Sequence, residues 1–93
     1  MKQLEKKFTG KGEVKGFSFT QLKNNGKAYI YEVADGSFKH YEVFKHKENT
    51  QFKCISYPRS KSFGIWAFSV STFERANEIF EELTIEKEVQ NGI

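Results

Sequence analysis

The chain has 93 residues, a formal net charge of +3 and a hydrophobic content of 38%, which indicates one small domain with a thin core. Its single cysteine, Cys54, excludes an intrachain disulfide, and no run approaches the roughly 18 apolar residues of a membrane span. The lysine-rich N-terminus lacks an apolar stretch, which predicts a cytoplasmic protein, and a pI near 9.0 is either an ordinary surface balance or a sign of an acidic partner.

Residues 1–12 are polar and lysine-rich, and Gly10 and Gly12 weaken regular structure, so we expect a flexible basic lead-in there. Alternating residues after it predict a first strand, although Gly16 indicates a bulge or twist. Asn24-Asn25-Gly26 and Asp35-Gly36 each predict a tight hairpin turn, because these residues tolerate positive φ angles. The three predicted strands run over 13–22, 27–34 and 37–47.

Further strands are predicted at 52–57, which Pro58 ends, and at 63–70, either as a fifth strand or as the second half of a bent fourth. Ser71 and Glu74 have the spacing of a capping box, and apolar residues at helical spacing follow. We therefore expect a helix over 71–87 and a frayed tail over 88–93. The predicted fold class is α+β, a single domain with an antiparallel four- to five-stranded meander and one C-terminal helix packed on one face.

The two turns set the register and therefore predict which residues share a face of the sheet. The face expected to receive the helix is apolar and carries Phe17, Phe19, Ala28, Ile30, Tyr41 and Val43. Trp66 is expected as a core anchor under the helix. The other face mixes aromatic and polar side chains and carries Ser18, Thr20, Leu22, Tyr29, Tyr31, Val33, Phe38, His40, Glu42 and Phe44. Three explanations for this second face stay open: a subunit interface, a sheet that curls over itself, or a platform for stacked bases.

The chain lacks the residues that most kinds of catalytic and metal-binding sites need. The glycines between 10 and 16 do not match a phosphate-binding loop, and one cysteine with two histidines cannot build an ordinary zinc site. Asp35 is explained by its turn, and Cys54 is typical of a small buried residue. We therefore predict no enzyme, no metal, no cofactor, no small-molecule substrate and no membrane partner.

Charge is divided along the chain. Residues 1–64 hold 13 Lys and Arg against 6 Asp and Glu, whereas residues 65–93 hold 2 against 6. Eleven of the 15 aromatic residues also lie in the basic part. An aromatic, basic sheet followed by an acidic helix is typical of a surface that attracts an anionic polymer and stacks its bases.

The order of four strands and one helix, with basic strands, resembles the single-stranded nucleic-acid modules of the PUR-repeat and Whirly type. The resemblance covers residues 13–86 at the level of element order, and no site residue follows from it. It implies a sheet that binds the strand and a helix packed behind it, often in a dimer. The segments FTGKGEVKGFSF and YPRSKSFGIWAF also look like small uncharacterised bacterial proteins, a similarity that implies no known activity.

These observations predict a non-enzymatic binding module for single-stranded nucleic acid, with a homodimer expected. The alternative is a homodimeric protein-interaction or regulatory module, in which the second face docks a partner and the charge keeps the chain soluble. The loop 57–62 is either a phosphate-binding element or a solubilising loop. The predicted phosphate contacts are Lys15, Lys39, Arg59 and Lys61. The predicted stacking residues are Tyr29, Tyr31, His40 and Phe44.

Overall fold

The computed structural model describes residues 3–10 and 15–91, with side chains through residue 85. Within these residues one helix, α1 (Phe73–Asn91), follows seven strands. The strands are β1 (Lys7–Thr9), β2 (Ser18–Asn24), β3 (Ala28–Asp35), β4 (Phe38–Lys45), β5 (Glu48–Asn49), β6 (Cys54–Ile55) and β7 (Ala67–Val70). An antiparallel five-stranded sheet has the order β1-β2-β3-β4-β7, and β5 and β6 form a separate hairpin. The predicted α+β fold class, with the helix packed on one face, is confirmed.

The two ends of the sheet differ from the prediction. The flexible lead-in is wrong for residues 7–9, which form the edge strand β1 and place Phe8 opposite Phe19. Residues 1, 2, 11 and 12 of that lead-in lie outside the described residues. The strand predicted over 52–57 is wrong as a member of this sheet, because only Cys54–Ile55 is extended, in the separate hairpin. β7 occupies the other edge instead.

A bulge at Leu22 changes the faces of β2. Gln21 pairs with Tyr31 but Lys23 pairs with Ile30, so Leu22 is an extra residue without a partner in β3. Because side chains alternate with a period of two, one extra residue moves everything before it to the opposite face. Phe19 therefore lies on the same face as Tyr31, and Phe17 packs against the same core, so the predicted place of both rings under the helix is wrong.

The turn between β3 and β4 has a different effect. Asp35 pairs with Phe38, so Gly36 and Ser37 are the central residues, one position later than predicted. The shift moves the partner of each β3 residue by two positions along β4. Because side chains alternate with a period of two, every residue keeps its predicted face. Gly36 has a φ of +59°, the left-handed conformation that such a turn needs. The predicted faces of β3 and β4 are therefore correct.

The helix packs on one face of the sheet, here called the helix side. The core there consists mainly of aliphatic and small residues: Ala28, Ile30, Tyr41 and Val43 from the sheet, and Ala76, Ile79, Phe80 and Leu83 from α1. Thr72 is the helix N-cap, since its Oγ1 accepts a hydrogen bond of 3.2 Å from the backbone N–H of Arg75. The predicted Ser71 and Glu74 capping box is therefore wrong by one residue. The helix also continues to Asn91, so the predicted helix end at residue 87 and the frayed tail are wrong for residues 88–91, and residues 92 and 93 lie outside the described residues.

The opposite face, here called the cover side, is closed by the connection between β4 and β7. This connection, residues 46–66, is the cover segment. Its Ile55, Tyr57 and Trp66 pack over the aromatic residues of the sheet together with Phe8 from β1. Trp66 therefore lies on the cover side, with its ring centroid 6.3 Å from that of Phe44, and not under the helix as predicted. The predicted curled sheet is therefore wrong, because a connecting segment and not the sheet itself covers these rings.

Candidate functional site

Three of the predicted stacking residues are fully buried. Tyr29, Tyr31 and Phe44 are 1%, 0% and 0% exposed. Their rings stack on one another, with centroids 5.2 Å apart for Tyr29 and Phe44 and 5.7 Å apart for Tyr31 and Phe44. Because a base can stack only on an accessible ring face, the prediction that these rings form a platform is wrong. The rings form the core beneath the cover segment instead.

The predicted phosphate-binding residues fall into two groups. Arg59 and Lys61 are exposed and belong to one loop of the cover segment, which includes a short 3-10 turn over Ser60–Ser62. Lys15 is exposed just before β2. Lys39 lies on the helix side, where its Nζ is 3.9 Å from Glu32 Oε2. The fold therefore brings Arg59 and Lys61 together and places Lys39 across the sheet from them.

His40, the fourth predicted stacking residue, belongs to a polar network with Glu42 and Tyr57. The Tyr57 hydroxyl donates a hydrogen bond of 2.6 Å to Glu42 Oε1. His40 Nε2 lies 3.1 Å from Glu42 Oε2, and the His40 side chain is 33% exposed. Burial first, and the Glu42 carboxylate second, raises the pKa of the Tyr57 phenol far above its ordinary value, so this hydroxyl remains a donor. The network fixes both oxygens of Glu42.

Two other tyrosine hydroxyls attach irregular segments to the cover side. The Tyr31 hydroxyl donates to the backbone carbonyl of Glu5 at 2.7 Å and accepts from Gln21 Nε2 at 2.9 Å. Tyr29 Oη lies 3.0 Å from His46 Nδ1, at the start of the cover segment. Burial is the main cause that raises the pKa of both phenols. These hydrogen bonds hold the residues before β1 and the cover segment against the sheet.

A cleft of about 1090 Å³ lies between the N-terminal segment with β1 on one side and the cover segment on the other. Its apolar walls include Leu4, Phe8, Pro58 and Phe63, with the Tyr57 ring among them. The Tyr57 ring meets the Phe8 ring edge-on, with centroids 5.6 Å apart. The polar lining consists of Gln3, Glu5, Thr9, Glu42, Arg59 and Ser60. An apolar cleft with a few convergent polar groups has the composition of a ligand site.

The surface of the cover segment is basic, whereas that of the helix is acidic. Residues 46–66 carry the exposed cations Lys47, Lys53, Arg59 and Lys61 against one carboxylate, Glu48. Residues 73–85 of α1 carry four exposed carboxylates against Arg75. The charge division along the sequence therefore becomes a division between the two layers that sandwich the sheet.

An exposed aromatic ring accompanies the basic charge of the cover segment. Phe52 is 70% exposed at the tip of the β5–β6 hairpin, and the exposed Lys53 follows it. Lys47 Nζ lies 5.6 Å from the centroid of the half-buried Trp66 ring. An exposed ring beside a cation can stack on a base while the cation neutralises a phosphate, so Phe52 is a candidate contact residue that the sequence prediction missed. The sequence predicted a strand over 52–57, and a ring in such a strand is expected to be buried, so the exposure of Phe52 was not predicted.

The described part of the chain offers little for metal or membrane chemistry. Among its residues no cluster of three or more His, Cys, Asp or Glu side chains is close enough to hold a metal ion. None of its helices has the length and apolar character that crossing a membrane requires. Cys54 is a free, half-buried thiol.

Glu42 could have been singled out from the sequence. It stands between His40 and Phe44 on the aromatic face of β4, and a carboxylate on a face that becomes buried must have hydrogen-bond partners. Comparison with protein-family models, with curated proteins and with solved structures finds no match to this chain. The resemblance to PUR-repeat and Whirly modules stays a prediction.

Proposed function

We propose that this chain is a non-enzymatic binding module for single-stranded nucleic acid, which it contacts through the cover segment. The observation that carries this proposal is the exposed charge of residues 46–66, four cations against one carboxylate, on the side of the sheet away from the acidic helix. A cationic layer attracts a phosphate backbone, and the opposite acidic layer orients the approach. A cytoplasmic location and a bacterial origin belong to the same proposal.

The phosphate contacts come from the loop that follows Tyr57. Arg59 and Lys61 are exposed there, and Ser60 between them lines the cleft. Guanidinium and ammonium groups bind phosphate oxygens, and a serine hydroxyl can donate to them. The loop therefore offers three donors for the phosphate backbone beside an apolar cleft.

The stacking contact comes from Phe52 rather than from the buried rings. At 70% exposure its ring offers an accessible face at the hairpin tip, and Lys53 beside it can neutralise a phosphate. Stacking of a base on an aromatic ring is worth about 1–3 kcal/mol and depends little on sequence. The proposed surface thus combines the two terms that bind single strands, charge and stacking.

Fluorescence anisotropy with a labelled single strand of about 20 nucleotides tests the proposal, because log K must fall with log salt by about 0.7 per neutralised phosphate. Arg59→Ala should weaken binding and reduce this slope. Arg75→Ala is the matched control, since it removes the same charge from the exposed, acidic helix, where Arg75 pairs with Glu78. Absence of binding at low salt, or equal losses in the two variants, would contradict the proposal.

Variants of Phe52 test the stacking term separately. Phe52→Trp retains an aromatic face and should preserve affinity. Phe52→Leu retains an apolar side chain but loses the stacking surface, so its affinity should fall by about 5- to 150-fold. The exposure of Phe52 makes both variants compatible with folding. Equal affinity of the Leu and Trp variants would remove Phe52 from the site.

A homodimeric interaction module is a second candidate, favoured by the position of β1 at the sheet edge. The backbone N–H groups of Gln21 and Gly10 donate to the carbonyls of Lys6 and Phe17, at 2.7 and 2.8 Å. Antiparallel pairing alternates, so the backbone groups of Lys7 and Thr9 point away from β2. Such an edge can pair with a strand of a second copy. The uncovered aromatic face that first predicted a dimer is no longer a reason for one, because the cover segment closes it.

Light scattering at high protein concentration tests this second candidate. Thr9→Pro removes an outward N–H that β2 does not use, so it should abolish a β1-paired dimer without unfolding the chain. Thr9→Ala is the control that retains the N–H. A monomeric native chain at high concentration would exclude the dimer.

A further inference from the structure

A largely buried carboxylate lines the cleft beside the proposed phosphate loop. Glu42 lines the cleft, and its side chain is 15% exposed. Tyr57 donates to Oε1 at 2.6 Å, and His40 Nε2 is 3.1 Å from Oε2. Each carboxylate oxygen has two acceptor sites, so these contacts leave one on each oxygen for another donor. Glu42 is therefore a fixed acceptor with capacity for two further hydrogen bonds.

The charges of the cleft decide which part of a nucleic acid can enter it. Among the described residues that line the cleft, the charged side chains are the carboxylates of Glu5 and Glu42 and the guanidinium of Arg59, a balance that does not favour a phosphate in the interior. A neutral group that donates hydrogen bonds fits the carboxylate better. The walls offer apolar and aromatic surface from Phe8, Tyr57 and Phe63, which is suited to a flat ring. A nucleobase with donors along one edge has these properties.

We propose that the cleft takes one base of the bound strand and prefers guanine, an inference that rests on the proposed function. Guanine is the base whose Watson–Crick edge presents two adjacent donors, the ring N1–H and the N2 amino group, to the two oxygens of one carboxylate. Recognition of unpaired bases commonly uses this edge together with an aromatic wall. Arg59 and Ser60 line the cleft and belong to the phosphate loop, so the backbone of the same nucleotide remains within their reach.

Central-base substitution in an oligothymidine of about twelve nucleotides tests the inference with the native chain. One central thymidine is replaced by deoxyguanosine, deoxyinosine, deoxyadenosine or deoxycytidine, and affinity is measured by anisotropy at one salt concentration. We expect the guanine strand to bind about tenfold more tightly than the all-thymidine strand, the usual size of a bidentate discrimination. Hypoxanthine, the base of deoxyinosine, lacks the N2 amino group and should lose most of this gain.

Glu42→Gln tests the role of the carboxylate. The amide has almost the same shape but replaces one acceptor oxygen with a donor, so the variant should lose the guanine preference and retain its affinity for the all-thymidine strand. A folded variant that retains the preference would overturn the role of Glu42. If that variant does not fold, the guanine and deoxyinosine comparison on the native chain still decides the matter.

The two proposals fail in different ways. Binding of the thymidine strand with equal affinity for every central base would overturn the guanine pocket and leave the binding function intact. Absence of binding to all of these strands at low salt would overturn both. A preference that deoxyinosine shares fully with deoxyguanosine would overturn the assignment of the N2 donor and with it the bidentate contact.

Discussion

The two sides of the sheet are held by different kinds of contact. On the helix side the core is built mainly from aliphatic and small residues, among them Ala28, Ile30 and Val43, and α1 satisfies its own backbone hydrogen bonds. On the cover side the core is built mainly from rings, and the covering chain is mostly irregular. Three tyrosine hydroxyls hydrogen-bond there, to His46, to the Glu5 carbonyl and to Glu42. The helix also makes side-chain hydrogen bonds to β2 and the turn after it, from Lys23 to Asn77 and from Asn25 to Thr84. The cover segment depends more on such contacts, because most of its backbone is irregular.

The largest expected difference between the two sides is in the free energy of unfolding lost by substitution of two neighbouring residues of β4. Val43 on the helix side and Phe44 on the cover side are both 0% exposed. Phe44→Ala should lower the free energy of unfolding by about 3–5 kcal/mol, a large part of the about 5–15 kcal/mol typical of a domain. Val43→Ala removes two methyl groups and should cost about 2 kcal/mol. Urea denaturation measures both, and equal losses would contradict the view that the rings dominate the core.

Alkaline pH should act through the cover side. Burial raises the pKa of Tyr29, Tyr31 and Tyr57 above the ordinary value, so above about pH 10 the unfolded chain releases protons that the folded chain retains. Their contribution to stability is therefore complete below about pH 10 and is lost as the pH rises further, by about 1.4 kcal/mol per pH unit for each phenol that is still protonated when folded.

Urea denaturation at several alkaline pH values, with phenolate absorbance recorded in parallel, checks this loss. Tyr57→Phe removes one of the phenols and should make the decline shallower. Ionisation of these three phenols in the folded chain near their ordinary pKa would contradict the buried hydrogen bonds.

The Tyr57 hydroxyl itself should have a smaller effect at neutral pH. Tyr57→Phe keeps the ring in place but leaves Glu42 without the donor to its Oε1, which should cost about 1–3 kcal/mol. Tyr41→Phe is the matched control, because Tyr41 belongs to the helix-side core. Equal changes in the two variants, measured by urea denaturation, would show that the cover segment does not depend on this contact.

The smallest expected effect is on the helix side. Thr72→Ala should lower stability by about 1 kcal/mol, because Thr72 Oγ1 accepts from the Arg75 N–H. Thr72→Ser retains the acceptor and should restore most of the loss. Ser71→Ala should change little, and a larger loss there than at Thr72 would support the capping box that the sequence predicts. Thermal unfolding followed by circular dichroism resolves these differences.

The sequence predicted the alternating strands well and the irregular connection poorly. β3 and β4 have clear period-two patterns, so Tyr29, Tyr31 and Phe44 were correctly placed together on one face although the turn after Asp35 is shifted. The bulge at Leu22 has no pattern of its own, and it inverted the expected position of Phe19. An alternating pattern predicts the face that a side chain occupies only where each residue of the strand has one partner in the neighbouring strand.

The candidate site was predicted in part for a related reason. The exposed positions of Arg59 and Lys61 were predicted from their charge and from Pro58, which was expected to end a strand over 52–57, and their phosphate contacts stay a prediction. The burial of the rings on the cover side could not be predicted from local sequence patterns, because the cover segment contains few regular elements. The contact between Tyr57 and Glu42 joins residues 15 positions apart across this irregular segment. Only the packing of the whole chain brings them together.

The bulge at Leu22 makes the fold tolerant of a change in chain length at one place. Its side chain is 41% exposed, so most substitutions there should be tolerated. Loss of the Leu22 codon would remove the bulge and leave Gln21 opposite Tyr31 and Lys23 opposite Ile30, so Phe19 would keep its face of the sheet. Deletion of Leu22 should therefore be found among functional variants of this gene far more often than deletion of a residue of β3, where every residue has a partner in β4.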